Sequence, residues 1–126
     1  MKINEKIKEI EEKRKELLEK IQKINEMMPG SFKRVHLKCG KENCWCKNEH
    51  NTGHPVDRIT WSEQGTSKTK AIPKEDIEWI KKVTKNYREF KNFEKELKRL
   101  EQQQKKQLAR LEKNLVKATR KQKKYF

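Results

Sequence analysis

Ile3, Ile7, Ile10, Arg14, Leu17, Ile21, Ile24 and Met28 recur at alternating steps of four and three. That spacing returns side chains to one face of a helix. It predicts a helix over residues 3–28 with a heptad seam, interrupted once by Arg14 and stopped by Pro29-Gly30. Lys8, Glu12 and Glu16 put charge on its outer face, as a solvated helix requires. A polar group at a seam position trades stability for specificity, so Arg14 is read as a determinant of register or partner.

From Ser31 to Pro73 the helical period disappears and turn formers gather at Gly30, Gly40, Gly53, Pro55 and Gly65. Phe32 to Lys38 and Val56 to Ser62 are rich in β-branched and aromatic residues and bounded by turn residues, which predicts two short strands. Glu63-Gln64-Gly65-Thr66 reads as a hairpin turn and Ser67 to Ile72 as the returning strand.

Pro73-Lys74-Glu75-Asp76 opens a second helix, with proline in the first turn and acids at the positive end of the dipole. Its apolar stripe runs through Ile77, Ile80, Val83, Tyr87, Phe90, Phe93, Leu97 and Leu100, then Leu108, Leu111, Leu115 and Ala118. The step changes at Phe90–Phe93 and again near Gln104–Leu108, so the seam is expected to drift or to pass to another partner there. At about 1.5 Å per residue the first helix spans roughly 39 Å and a helix over residues 74–122 roughly 73 Å. Folded back antiparallel, the first helix would end opposite about residue 100, leaving Leu108, Leu111 and Leu115 for a second copy or a frayed basic tail. A dimer through the heptad seam is the simpler solution.

Composition agrees with narrow seams rather than a large core. The 126 residues are 31% hydrophobic and 42% charged, against roughly 45–50% and about 25% in ordinary globular domains. The net charge is +15, and residues 105–126 carry nine basic side chains against Glu112 alone. Such a charge calls for a polyanionic partner, nucleic acid first and an anionic membrane second. No apolar run approaches the roughly 20 residues of a membrane span, and Met1-Lys2-Ile3-Asn4-Glu5 lacks the apolar stretch of a signal peptide. The expected compartment is the reducing cytoplasm, where three cysteines make a poor disulfide framework and a good metal set.

Those three cysteines and two of the three histidines fall between Cys39 and His54. Cys39, Cys44 and Cys46 supply three soft ligands, and zinc takes four in tetrahedral geometry. His54, held in a turn by Gly53 and Pro55, is the first choice for the fourth; His50 is second and His36 third. Gly40 is expected to permit a tight turn after the first thiolate. A catalytic zinc keeps an open position and needs a nearby base; Glu42, Glu49 and Asp57 show no recognisable spacing for one. With no nucleophile–base pair or phosphate loop either, structural zinc is the reading and no enzyme is expected.

The run from Gly30-Ser31 through Arg34, Cys39-Gly40-Lys41, Cys44, Cys46, Pro55, Trp61, Gly65, Ile72-Pro73-Lys74 and Asn86-Tyr87-Arg88 resembles an uncharacterised prokaryotic family, domain of unknown function 6788, over roughly residues 27–100. The Cys-Gly-Lys-x-x-Cys-x-Cys signature is fairly specific. Members typically place His-Gly-Pro after the cysteines, where this chain reads Gly53-His54-Pro55. The resemblance implies a small zinc-like β module followed by a helix, sometimes encoded near mobile elements, and no established activity.

The expected architecture is mainly α: a long helical hairpin or coiled coil with a small zinc-stapled β module inserted between its two helices. Its segments would be 1–28, 29–73 and 74–126, one structural unit. The expected function is binding nucleic acid, DNA ahead of RNA, largely through phosphates, as a dimeric regulator or mobile-element accessory. Lys33, Arg34, Lys38 and Lys41 beside the cluster, and Arg110, Lys113, Lys117, Arg120, Lys121, Lys123 and Lys124 along the arm, are the candidate contacts. Arg58, Lys68 and Lys70 alternate along the hairpin as a further basic strand face. Trp45 and Trp61 read first as cover for the metal site, with Trp45 the better candidate for exposure and base stacking. The alternative is a coiled-coil adaptor that docks a protein partner, its zinc purely structural. No membrane and no small-molecule substrate are expected.

Overall fold

A computed structural model describes residues 2–48 and 52–126. Helix α1 (Lys2–Lys23) is followed by strands β1 (Ser31–Leu37), β2 (His54–Glu63) and β3 (Thr66–Ala71) and by helix α2 (Ile77–Arg120). Two compact units form: α1 with Phe90–Phe126, and Glu26–Glu89 around the sheet.

In the first unit the heptad seam is what α1 buries. Ile10 is buried, Ile3, Ile7, Arg14, Leu17 and Ile21 are half-buried, and every other described position on the helix is exposed. Their partner is α2 of the same chain. The Lys20 ammonium lies 5.9 Å from the Phe93 ring centroid, Arg14 contacts Glu101 and Gln104, and Gln104 donates to Glu11. Partners fall in sequence on α2 as they rise on α1, so the two run antiparallel. The seam assigned to a second copy is thus occupied within the chain, and the pairing reaches past residue 100. The large apolar side chains that stay exposed on this part of α2 are Leu108, Leu115 and Val116.

The step change at Phe90–Phe93 falls where α2 passes from the sheet unit to the unit with α1, but the predicted break near Gln104–Leu108 does not occur. Phe93, Leu97, Leu100, Gln104, Gln107 and Leu111 continue at steps of four and three, and all are buried or half-buried. Two glutamines hold seam positions, and their polarity hides the period. Arg14 meets this polar stretch, donating to Glu11 at 2.8 Å and to Gln104 at 3.2 Å.

The first helix ends at Lys23, short of Pro29-Gly30. Beyond it the backbone bonds elsewhere: the Asn86 carboxamide donates to the Glu26 carbonyl (3.1 Å), and the Met28 N–H donates to the Val83 carbonyl (3.1 Å). A continuing helix would have kept those groups for itself.

The second unit is an antiparallel sheet in the order β1-β2-β3, with the start of α2. Gln64 (φ 50°) and Gly65 (φ 80°) join β2 to β3 in two residues. Positive φ at both is the geometry whose twist matches that of paired strands. Ile59 on β2 and Ile77, Ile80, Val83 and Thr84 on α2 are buried; the Thr84 hydroxyl is satisfied by the Ile80 carbonyl at 2.8 Å. Four aliphatics are a thin core for this length of chain. The fifth apolar side chain buried there is Cys46.

Candidate metal centre

Cys39 lies two residues beyond β1, and the chain then makes consecutive tight turns. The Cys44 N–H donates to the Lys41 carbonyl (3.4 Å), the Lys47 N–H to Cys44 (3.2 Å) and the Asn48 N–H to Trp45 (3.2 Å). These turns enclose a 3-10 helix, Trp45–Lys47, and swing Cys46 inward to zero exposure. His54 enters from the other side as the first residue of β2, opposite Leu37.

The ligand atoms of Cys39, Cys44, Cys46 and His54 all lie within 4.8 Å of one another. Cys39 Sγ is 3.4 Å from Cys46 Sγ, and Cys44 Sγ is 3.0 Å from His54 Nε2. With metal–sulfur bonds near 2.3 Å and metal–nitrogen bonds near 2.0 Å, tetrahedral ligand pairs stand about 3.5–3.8 Å apart. Small adjustments reach that spacing, so the four side chains could hold a metal ion. The Cys39 N–H donates to Cys46 Sγ at 3.3 Å, the second-layer support that ligating sulfurs commonly receive.

The sulfurs differ in electrostatics. The Lys41 backbone N–H, then Cys44 and Cys46, lower the Cys39 thiol to about 6, while burial pushes the Cys46 thiol up. The lowered Cys39 thiol is readily available as a thiolate ligand, and the buried Cys46 thiolate would be favoured by a cation that replaces its proton.

The glycine that the geometry requires is Gly53, not Gly40. Gly40 has no positive φ and open space where a Cβ would go. Gly53 is buried at φ 103°, and a Cβ there would sit 2.5 Å from the Leu37 carbonyl carbon. This close approach seats His54 against the end of β1.

The other histidines part company. His36 pairs with Pro55 across β1 and β2, while His54 pairs with Leu37. The period of two therefore puts His36 on the opposite face of the sheet, away from the cluster. His50 lies outside the described residues, as does Glu49.

Among the basic candidates, Lys33, Lys38 and Lys41 are exposed. Arg34 grips Asp57 with both arms of its fork (Nε–Oδ1 2.7 Å, Nη2–Oδ2 3.1 Å), raising its own pKa and lowering that of Asp57. Arg58 does not share a strand face with Lys68 and Lys70: it pairs with Ala71, while those lysines face Trp61 and Ile59. Arg110, Lys113, Lys117 and Arg120 are exposed along α2, and Lys121, Lys123 and Lys124 follow its end. Together with Lys106, which belongs to the same pattern, the four helical ones step by four and three residues. They form one basic stripe along α2; the spacing was readable in the sequence but hidden among neighbouring lysines.

The fold places a small β module, with a Cys3His cluster that could hold a metal ion, between two helices in the chain, and no described helix is long and apolar enough to cross a membrane. The chain belongs to the family described as Domain of unknown function (DUF6788), whose model matches residues 7–82. The match begins within α1 and ends on α2, so it takes in the whole metal module. No curated protein and no solved structure matches the chain.

Proposed function

We propose that this protein binds nucleic acid through phosphate contacts made by α2, and that its Cys3His cluster carries a structural zinc ion. One observation supports the binding reading most: Lys106, Arg110, Lys113, Lys117 and Arg120 form a single exposed stripe on a continuous helix. Like charges at these spacings repel by about 0.2–0.5 kcal/mol per pair, and a polyanion laid along the stripe relieves that cost. The stripe is about 21 Å long at 1.5 Å per residue, enough to follow several phosphates. Zinc suits a site of three thiolates and an imidazole, and four protein donors leave no position for a substrate. The role is therefore binding rather than catalysis.

A salt series tests this. Five phosphate contacts give a log–log slope of about −4.5, so affinity should fall about 500-fold between 50 and 200 mM salt. Lys113→Glu with Lys117→Glu and Arg120→Glu should lower affinity at every sequence and reduce the slope by about 3. Failure of the zinc-loaded protein to bind DNA or RNA at low salt would refute the reading and leave the adaptor role to be sought with protein partners.

A further inference from the structure

We propose that the indole of Trp45 is a stacking platform for an unpaired nucleobase, a site that rests on the nucleic-acid reading but is separate from the α2 stripe. Trp45 sits between two metal-ligand candidates, Cys44 and Cys46, yet it is 55% exposed while Cys46 is fully buried. The core therefore uses the cysteine and not the largest apolar side chain of the turn. The ring is nonetheless held: its centroid is 4.5 Å from that of His54, with 63° between the planes. The 3-10 turn fixes its backbone. A rigid, exposed aromatic has already lost the freedom that stacking would otherwise cost.

The charge around it favours phosphate. Lys41 and Lys47 bracket the turn and Lys38 precedes it, all exposed, against Glu42 and, further along the sequence, Glu49. The other two tryptophans lack this setting. Trp61 is half-buried and lines a hollow with Met28, Ile59 and Ile80. Trp79 is exposed, but Glu75, Asp76 and Glu78 offset Lys74, Lys81 and Lys82 around it, so its surroundings carry no net positive charge. Base faces are hidden inside a duplex and presented by a single strand, so the ligand class at Trp45 is single-stranded DNA or RNA. Stacking there adds to phosphate contacts without reading sequence.

The test uses the full zinc-loaded chain carrying Trp61→Phe and Trp79→Phe, in which Trp45 is the remaining tryptophan and is excited where tyrosine does not absorb. Oligo(dT) or oligo(rU) should quench that emission, while a blunt duplex and heparin, which supply charge without open bases, should not. In otherwise wild-type protein Trp45→Ala should weaken single-strand binding about 10- to 100-fold, from the usual worth of one stacked base. The salt slope and duplex affinity should stay unchanged, and Trp45→Phe should restore most of the loss. Oligonucleotide bound by anisotropy with no change in Trp45 emission overturns the platform and leaves the phosphate reading standing. Single-strand affinity unchanged in a zinc-loaded Trp45→Ala protein does the same. No binding of any nucleic acid at low salt overturns both. Should Trp45→Ala lose zinc, the emission titration alone decides.

Discussion

Replacing Gly53 by alanine should disable the metal centre without touching a ligand. The added Cβ would lie 2.5 and 2.6 Å from the carbonyl carbon and oxygen of Leu37 and 2.8 Å from the Lys38 nitrogen. Carbon contacts settle near 3.5–4.0 Å, so the segment must retreat by about 1 Å, and the obstacle is backbone that cannot rotate away. The φ of 103° adds strain for any L-residue, of order 1–2 kcal/mol. His54 is the next residue, and metal–ligand distances tolerate only about ±0.2 Å. A 1 Å retreat therefore takes the imidazole out of the tetrahedron, and zinc affinity should fall about 10- to 100-fold. Competition with a chromophoric chelator measures the affinity; the visible spectrum of the cobalt-substituted protein reports whether the nitrogen ligand remains. Gly40→Ala is the control, because nothing lies within 4 Å of its Cβ position; it should bind like wild type. A Gly53→Ala protein with wild-type zinc affinity and an unaltered cobalt spectrum would refute the argument.

Arg14→Leu should be neutral or stabilise the helix pair by about 1 kcal/mol, since it replaces a half-buried guanidinium whose Nε has no partner among the described residues; thermal unfolding checks this, and a clear loss would mean that the Arg14–Gln104–Glu11 contacts are net favourable. Asp57→Asn should lower the denaturant midpoint modestly at neutral pH, because it breaks the paired fork of Arg34. Arg34 holds the Asp57 carboxyl below its ordinary value, so this stability is present above the unfolded pKa and disappears as pH falls through the folded one. The gap between variant and wild type should therefore close between about pH 5 and pH 2; a gap that persists in acid would show that packing, not charge, is lost. Gln64→Asn should stabilise the hairpin by a few tenths of a kcal/mol, since asparagine accepts the φ of 50° found there more readily, and an unchanged or lower midpoint would count against it.

The α1 seam was legible because every apolar member is aliphatic and regularly spaced, and each predicted position within the helix is buried or half-buried while the other described positions are exposed. The strands were legible within a residue or two, their turn marked by Gln64-Gly65. The α2 seam was misread because Gln104 and Gln107 occupy positions that a hydrophobic pattern reserves for leucine. The end of α1 was misplaced because Asn86 and Val83, some 60 residues away in sequence, take up the backbone groups of residues 26–28. Cys39, Cys44 and Cys46 stand out by composition alone, and His54 from His36 only by strand parity. The demand on Gly53 comes from the nearby end of β1, a tertiary contact that no local pattern carries.

Cys46 is both a candidate ligand and one of the few fully buried side chains around the sheet. Ile59, Ile77, Ile80 and Val83 supply little apolar area for a unit of three strands, and β3 is exposed along its whole length. A metal ion would tie three separate stretches at one point: the end of β1 through Cys39, the turn through Cys44 and Cys46, and the start of β2 through His54. Without it, burial raises the Cys46 thiol, and these stretches are joined by the last pairs of the β1–β2 ladder at Leu37–His54 and by weak contacts such as the Cys39 N–H to Cys46 Sγ at 3.3 Å. Metal binding is then folding free energy for this unit. Stripping zinc with a chelator, or replacing Cys44 with serine, should remove amide protection in residues 31–71 and leave the α1 seam protected, as read by hydrogen exchange. Sheet protection that survives complete zinc removal would show that the four aliphatics suffice and that the metal serves some purpose other than holding the fold.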